Sequence, residues 1–494
     1  MSILLLEFND NYYRDVVEAL VKKDCPITHI VTTFPDLYRN KKEFSNIKII
    51  DEKQFHFADK INGINKNNPK SLSKKTIYQN FELESLYLSI TDRTCFYPKT
   101  VQFRKQQYYE LLLFWKHFLE KEKIKRIIFP RVPHLGYGNI VLALAKQLNI
   151  KCIIVRETLL DDTALITNDY NNFKKIPSTY LSDNNFKELK MKLGERQFSQ
   201  IFQQSILMKI NIQDNKTATK QNNSSFFKAI IDIPTIKALF SLIHNPFERV
   251  YFSPTYMEKP TNWFGYYLMI FQYYFKNKAL FNFYNKTAKQ VQVNKKFVYF
   301  ALHFQPERTS MPEGDIFENQ LLAIDILSKS LPTGWLLYVK EHPNQFSRTD
   351  TRKMNFRTKE FYEKINQYKN IRLVSLDTSS QDLIKHSQCT VTLTGSSGWE
   401  SLIMGKPVLT FSASAWYSPC NACYIVTSQN ECKEALKMIS NIKKTTVLEE
   451  VLRYLLYYKK KFINTATSPE LAALSPQPRN LLIDTMANAI IKEI

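Results

Sequence analysis

Glycine is scarce in this chain, with ten residues in 494, and cysteine scarcer still, with seven. An odd, sparse cysteine set argues against a disulfide framework and places the chain in the cytoplasm. No run of roughly 18 apolar residues is present, so a membrane-spanning helix is not expected. The start, Met1-Ser2-Ile3-Leu4-Leu5-Leu6-Glu7-Phe8, lacks a basic stretch, and Glu7 interrupts its apolar run. It reads as a buried strand and not as a signal peptide. Zinc-finger spacings, aromatic-Gly RNA-binding signatures and a Walker Lys-Ser/Thr are all missing, and no internal repeat stands out. Cys420-Asn421-Ala422-Cys423 has no second pair, so it reads as two reduced thiols with no metal site.

What is present is an ordinary globular balance, 44% hydrophobic and 23% charged, with a net charge of +22. That excess favours anionic partners such as acidic lipid or phosphorylated substrates. With no RNA-binding signature and with scattered lysines, a nucleic-acid partner is not expected. The length suggests two to three domains.

Short β-rich runs alternate with helical stretches. Ile3–Phe8, Ile27–Thr33, Ile47–Ile50, Arg126–Phe129 and Lys151–Val155 read as strands, with Gln106–Lys121 and Asn139–Leu148 as helices. A second such series runs through Phe297–His303, Trp335–Lys340, Ile371–Val374, Cys389–Leu393 and Val408–Phe411, with helices at Asn319–Leu331 and Gln381–His386. Strands spaced by helices imply parallel βαβ units. The fold class is therefore α/β: two Rossmann-like βα domains facing a cleft, where ligands bind. The expected division is 1–210 as a first Rossmann-like domain, 211–294 as an aromatic-rich helical linker, 295–465 as a second Rossmann-like, ligand-binding domain and 466–494 as a closing helix. Glu431–Lys461 reads as helical, and Leu471–Ile494 as a helix returning to the first domain. Trp263–Lys276 is aromatic enough to lie at a membrane interface, but aromatic stripes more often fill cores, and a packed helix is preferred.

Three of the ten glycines fall at Gly395, Gly398 and Gly405. Thr390–Leu393 is a β run, Thr394-Gly395-Ser396-Ser397-Gly398 turns, and Trp399–Met404 begins a helix. A strand, a Gly/Ser turn and a helix start together make an anion site from free N–H groups and the positive dipole end. Ser397-x-x-Glu400 also reads as a capping box, and Glu400 alternatively binds a ribose hydroxyl. Lys340 and His342 alternate onto one side of a strand that Pro343 stops, a cation and a titratable donor for a phosphate. Gln305, Glu307 and Arg308 follow another strand; the arginine suits a phosphate or carboxylate, the other two a base or sugar. Transfer to a hydroxyl needs a base, and His134, Glu157, Asp161 and Asp162 all remain candidates.

Phe304-Gln305-Pro306-Glu307, Leu331-Pro332-x-Gly334-Trp335, Val339-Lys340-Glu341-His342-Pro343, Thr394–Glu400 and Gly405-Lys406-Pro407-Val408 resemble bacterial capsule and surface-polysaccharide biosynthesis proteins. That group is related to capsular Kdo transferases of GT-B fold. The resemblance implies a metal-independent, inverting glycosyltransferase with a nucleotide-sugar donor as substrate and no other cofactor. It places His342, Ser396 and Ser397 on the donor phosphate, and suggests a CMP-linked ulosonic acid such as Kdo. The implied acceptor is lipid-linked or oligosaccharide, and the basic surface would hold the enzyme at an anionic membrane face. UDP-sugars, a CDP-polyol phosphotransferase, a sugar-nucleotide epimerase and a non-catalytic polysaccharide-binding or export protein stay as alternatives.

Overall fold

The computed structural model describes residues 2–55, 71–94, 100–158, 160, 162–171, 173, 175–177, 263–305, 307–346, 356–475 and 477–494. Asp161, Pro306 and the expected loop and linker up to residue 262 lie outside the described residues. The described chain forms two compact units, one from residues up to 170 with 459–494, the other from 171–458.

In chain order the first unit begins with β1 (Ile3–Leu6), α1 (Asn11–Lys22), β2 (Ile27–Thr32), β3 (Lys48–Asp51), α2 (Phe81–Thr94) and α3 (Val101–Lys121). It continues with β4 (Arg126–Phe129), α4 (Gly136–Gln147), β5 (Lys151–Glu157) and β6 (Thr163–Thr167). The second unit carries α5 (Trp263–Thr287), β7 (Phe297–Ala301), α6 (Gln320–Ser330), β8 (Leu336–Lys340), α7 (Lys359–Asn366), β9 (Ile371–Leu373) and α8 (Ser380–His386). It ends with β10 (Thr390–Thr392), α9 (Ser396–Ile403), β11 (Val408–Thr410), β12 (Cys423–Ile425), α10 (Gln429–Ile439) and α11 (Lys444–Tyr458). The chain then returns to the first unit as β13 (Phe462–Asn464), α12 (Pro469–Leu474) and α13 (Arg479–Glu493).

The first sheet has the order β13-β6-β5-β4-β1-β2-β3, parallel from β3 to β5, with β6 and β13 antiparallel at one edge. The second has the order β12-β11-β10-β7-β8-β9 and is parallel throughout. In each, the strands run outward from the first one in both directions, which is the doubly wound Rossmann-like order.

The central strands show why. All four residues of β1 are fully buried: Ile3 and Leu5 join one core cluster, Leu4 and Leu6 the other. A strand covered on both faces has no polar positions to spare. Beneath one face, α1 buries Tyr12, Tyr13, Val16, Val17 and Leu20, a helical stripe started by Asp10, whose side chain accepts from the Tyr13 N–H at 2.8 Å. α13 meets it with Leu482, Met486 and Ile490. In the second unit β7 repeats the pattern, Val298 and Phe300 on one face, Phe297 and Tyr299 on the other. Truncating one of these central residues, Leu4→Ala for example, is worth roughly 2–5 kcal/mol.

Three short strands, β6, β12 and β13, have no counterpart in the sequence reading. Each is three to five residues long and at or near a sheet edge, too short to show a period. The stretch Glu431–Lys461, read as helical, holds two helices, α10 and α11, separated by Ser440–Lys443, and it runs into β13. The described part of α5 packs on the second unit's core: Tyr284 is fully buried and its hydroxyl donates to the Val374 carbonyl at 2.6 Å. Phe271 and Phe275 face outward.

Candidate functional site

The two sheets each have a switch point where the first and fourth strands of the unit lie side by side, and ligands of doubly wound folds bind at its carboxyl end. In the second unit that place lies between β7 and β10. The segment after β10 is the Gly/Ser turn, and the segment after β7 is His303–Ser310.

The turn is built from below by His303, which is 6% exposed. Its Nε2 accepts from the N–H groups of Leu393 at 3.0 Å and Thr394 at 3.3 Å and lies 2.8 Å from Thr392 Oγ1. Burial, with the nearby His342 and Arg357 charges adding to it, pushes this imidazole down to about 3. The ring is therefore neutral, with its proton on Nδ1. A Cβ on Gly395 would sit 3.2 Å from this ring and 2.9 Å from Thr392 Oγ1, and Gly398 has no room either, since its Cβ would meet Tyr417 Oη at 2.1 Å. That hydroxyl donates to the Gly395 carbonyl at 2.6 Å. The glycine clustering thus reflects close approach at these two positions. Trp399 anchors the helix behind them, packed on Trp416 with ring centroids 4.7 Å apart.

α9 starts at Ser396 with Gly395 as N-cap, and no side chain caps it. The capping box expected at Ser397-x-x-Glu400 is therefore not formed; the helix begins two residues earlier, and the two serines occupy its first turn. Their N–H groups have no acceptor within the helix. Ser396 is exposed, Gly395 and Ser397 are half-buried, and Thr394 is buried with its hydroxyl donating to the Thr309 carbonyl at 2.7 Å. Glu400 is largely buried, which pushes its carboxyl upward, opposed by a hydrogen bond from Ser396. The result is an open, uncapped helix N-terminus on a rigid base, suited to an anion.

His342 lies just beyond β8, half-buried, its ring centroid 5.6 Å from that of Phe304, with Nδ1 accepting from the Asn344 N–H at 3.2 Å. Pro343 begins a short 3-10 turn, Pro343–Phe346. Glu341, fully buried, holds this loop: its carboxylate accepts from Arg357 Nε at 2.7 Å, the Tyr362 hydroxyl at 2.8 Å and the His342 N–H at 2.9 Å. Arg357 also donates to the Gln305 side chain and to the His303 carbonyl. One buried charge pair therefore fixes both the His303 loop and the His342 loop.

Several residues expected to touch the donor are used otherwise. Gln305 is buried, its amide tied to Arg357 and to the Glu318 carbonyl, so it braces the loop and does not read a base. Arg308 pairs with fully buried Glu313 at 2.7 Å. Lys340 is 2% exposed and donates to the Thr378 carbonyl and to Ser380 Oγ; burial pushes it down to about 8. Its partners are quite different from those of His342, which corrects the expectation of a shared, open face. Glu307 is exposed and accepts from the Thr309 hydroxyl at 3.3 Å. Cys420 and Cys423 are buried free thiols, and among the described residues no cluster of three or more His, Cys, Asp or Glu gathers as a metal site.

In the first unit the equivalent place lies between β1 and β4. His134, after β4, has Nδ1 3.5 Å from the Glu7 carboxylate, and Arg131 Nε lies 3.9 Å from the same oxygen. Glu157 ends β5 and accepts from the Thr467 hydroxyl at 3.4 Å. Asp162 sits in the β5–β6 turn, where it accepts from Ser475 Oγ at 2.6 Å and its carbonyl takes the Thr465 N–H, a tie to the returning chain. Asp161 is outside the described residues. The residues that the sequence reading missed are His303, Arg357 and Glu7. Glu7 and His303 each lie just past a buried strand, and a polar residue there is the signal that points to them.

No helix among the described residues is long and apolar enough to cross a membrane. No curated protein matches the chain. Among solved structures, it is similar to the UDP-GlcNAc 2-epimerase of Methanocaldococcus jannaschii, at 13% identity over 92% of this chain and 100% of that one, with a TM-score of 0.25. It is similar to KpsC of Thermosulfurimonas dismutans, a beta Kdo 2,7 transferase, at 10% identity over 76% and 88%, TM-score 0.29. A glycosyltransferase from Rickettsia africae matches at 11% identity over 100% and 97%, TM-score 0.26. At such scores the overlaps assign neither substrate nor mechanism. The sequence of residues 285–464 matches the family described as capsule polysaccharide biosynthesis protein. That span contains the Gly/Ser turn, His303 and His342.

Proposed function

We propose that this chain is a glycosyltransferase of capsule polysaccharide synthesis that draws its sugar from a nucleotide-sugar donor. The observation that carries this reading is the uncapped first turn of α9 at Ser396 and Ser397, lying at the switch point of a parallel sheet within the segment that matches the capsule family. The donor's phosphate docks on the first-turn N–H groups and serine hydroxyls, and His342 supplies a further donor as the phosphate leaves. In this reading helix dipole and imidazole meet the leaving charge, displacement is direct and inverting, and no metal is called for. Following the resemblance, the donor is a CMP-linked ulosonic acid such as Kdo. The acceptor is a growing glycan, and the basic chain, at +22, works at the cytoplasmic face of an anionic membrane.

Thermal shift against CMP, CDP, UDP and GDP tests the nucleotide, with CMP expected to stabilise most. His342→Ala should abolish the shift, and an unchanged shift would remove His342 from the phosphate site. Turnover of CMP-, CDP- and UDP-sugars tests the activity; no turnover with any of them would sink the transferase reading in favour of a binding protein.

A further inference from the structure

The Cys420-Asn421-Ala422-Cys423 stretch takes a cation on its backbone and not on its thiols. Lys175, which follows the point at Asn171 where the chain enters the second unit, directs its ammonium onto three main-chain carbonyls. They are those of Ser418 at 2.8 Å, Cys420 at 2.9 Å and Cys423. An ammonium has three N–H donors, so the oxygens match it in number. The three residues that offer them are fully buried, in or at the end of the irregular loop between β11 and β12. There the backbone closes short turns: Ser418 N–H to the Ala415 carbonyl, Cys420 N–H to the Tyr417 carbonyl and Cys423 N–H to the Cys420 carbonyl. A buried loop of this kind has carbonyls that need donors from elsewhere in the chain. Two further contacts seat the Lys175 segment on it. The Ile176 N–H donates to the Pro419 carbonyl at 3.3 Å, and Ser414 Oγ donates to the Asn171 side chain.

The loop so held is the one that touches the anion turn. Tyr417, next to Ser418, donates its hydroxyl to the Gly395 carbonyl at 2.6 Å and fills the space where Gly398 has no side chain. Trp416 packs on Trp399 of α9, and its carbonyl accepts from the Tyr454 hydroxyl at 2.8 Å. Gly395 is the N-cap of α9, and Ser396 and Ser397 lie in its first turn. We propose that Lys175 is a positioning residue for this anion site. Its ammonium locks the loop that sets Tyr417 against Gly395, and thereby keeps the first turn of α9 in the shape that takes a phosphate, a role that rests on the donor-phosphate reading of that turn. A charged donor suits the task, because its hydrogen bonds to carbonyls are stronger than those of a neutral one. Its effect on the phosphate passes through Tyr417 and the Gly395 carbonyl.

Two readouts on full-length protein test this role, one of them independent of any nucleotide. The chain has five tryptophans, so labelling with fluorotryptophan gives a simple fluorine NMR spectrum in which Trp416 is the resonance lost in Trp416→Phe. That resonance should move in Lys175→Ala. Of CMP, CDP, UDP and GDP, the one that stabilises the wild type most should bind Lys175→Ala about 2–30-fold more weakly in calorimetric titration. Ethylammonium chloride, which returns an ammonium to the vacated oxygens, should reverse both changes. Tetramethylammonium chloride, which has no N–H, should reverse neither. If Lys175→Ala does not fold, Lys175→Met, which keeps the stem and lacks the charge, should show the same two changes. An unmoved Trp416 resonance overturns the role. So does a loss that ethylammonium fails to reverse, since packing and not the cation would then hold the loop. Nucleotide binding that is intact in Lys175→Ala overturns the role alone. If none of these nucleotides binds the wild type, the donor reading falls and the role with it, while the Trp416 resonance still shows whether Lys175 holds the loop.

Discussion

Both units place a histidine where the first and fourth strands of their sheets run side by side, yet they surround it in opposite ways. In the second unit His303 is 6% exposed, neutral, and accepts two backbone N–H groups from the turn it supports. In the first unit His134 is 23% exposed on its side chain and faces a buried carboxylate. The first arrangement consumes the imidazole in building a backbone shape, so the anion site above it is made of N–H groups. The second sets a partly exposed imidazole beside a buried carboxylate. One doubly wound architecture thus provides a rigid cradle in one unit and a partly exposed charged edge in the other.

The largest expected effect concerns what makes the cradle rigid. Arg357 is 2% exposed and pairs with Glu341 at 2.7 Å, and removing one partner of a buried pair costs about 3–5 kcal/mol. Arg357→Ala should therefore lower the melting temperature of the second unit strongly and release both the His303 and the His342 loops. Arg131→Ala in the first unit, where the guanidinium is 28% exposed and 3.9 Å from Glu7, should cost much less. Equal losses, read by calorimetry, would show that the two edges are braced alike and would break the comparison.

Gly398→Ala comes next. Its methyl would collide with the Tyr417 hydroxyl at 2.1 Å, and overpacking of this kind costs about 1–3 kcal/mol. Tyr417 must then leave the Gly395 carbonyl, so nucleotide stabilisation in the thermal-shift panel should fall further than the melting temperature alone accounts for. Tyr417→Phe with Gly398→Ala should recover part of the stability. No loss of nucleotide response in Gly398→Ala would detach the turn from the donor site.

Much of this was legible in the residues. Five strands of each sheet announce themselves as runs of β-branched and aromatic residues between helical stretches, and the Gly/Ser turn stands out against ten glycines in all. The short strands β6, β12 and β13 did not, because three to five residues carry no period and their pairing comes from distant chain. The turn's location was readable; its support was not. His303 and Arg357 lie 54 residues apart and meet only through the fold. Lys340 misled for a related reason. Alternation along a strand says which side a residue takes, but not that Thr378 and Ser380 wait there to bind its ammonium. Glu7 looked like an interruption in an apolar run, and only the fold gives it its positive φ and its neighbour His134.

The smallest effect is the most selective, because it isolates His303 by pH. His303 is held neutral in the folded protein down to about 3, against an ordinary 6.5. Its folded value is depressed, so below 6.5 the unfolded chain takes up a proton that the folded chain refuses, and stability falls as pH falls toward 3. Relative to its limit at high pH, this one group should cost about 1.4 kcal/mol by pH 5.5. Other groups titrate as well, and Glu400, pushed upward by burial, works in the opposite sense at lower pH. The clean quantity is therefore the difference between wild type and His303→Asn, measured by urea unfolding at pH 8 and 5.5. The variant should be less stable at both values, since buried N–H groups of Leu393 and Thr394 lose their acceptor, but its deficit should shrink at pH 5.5 as the wild type loses the His303 contribution. A deficit that stays constant across this range would mean that His303 accepts its proton within the fold, and the cradle would then not be the neutral base that its burial implies.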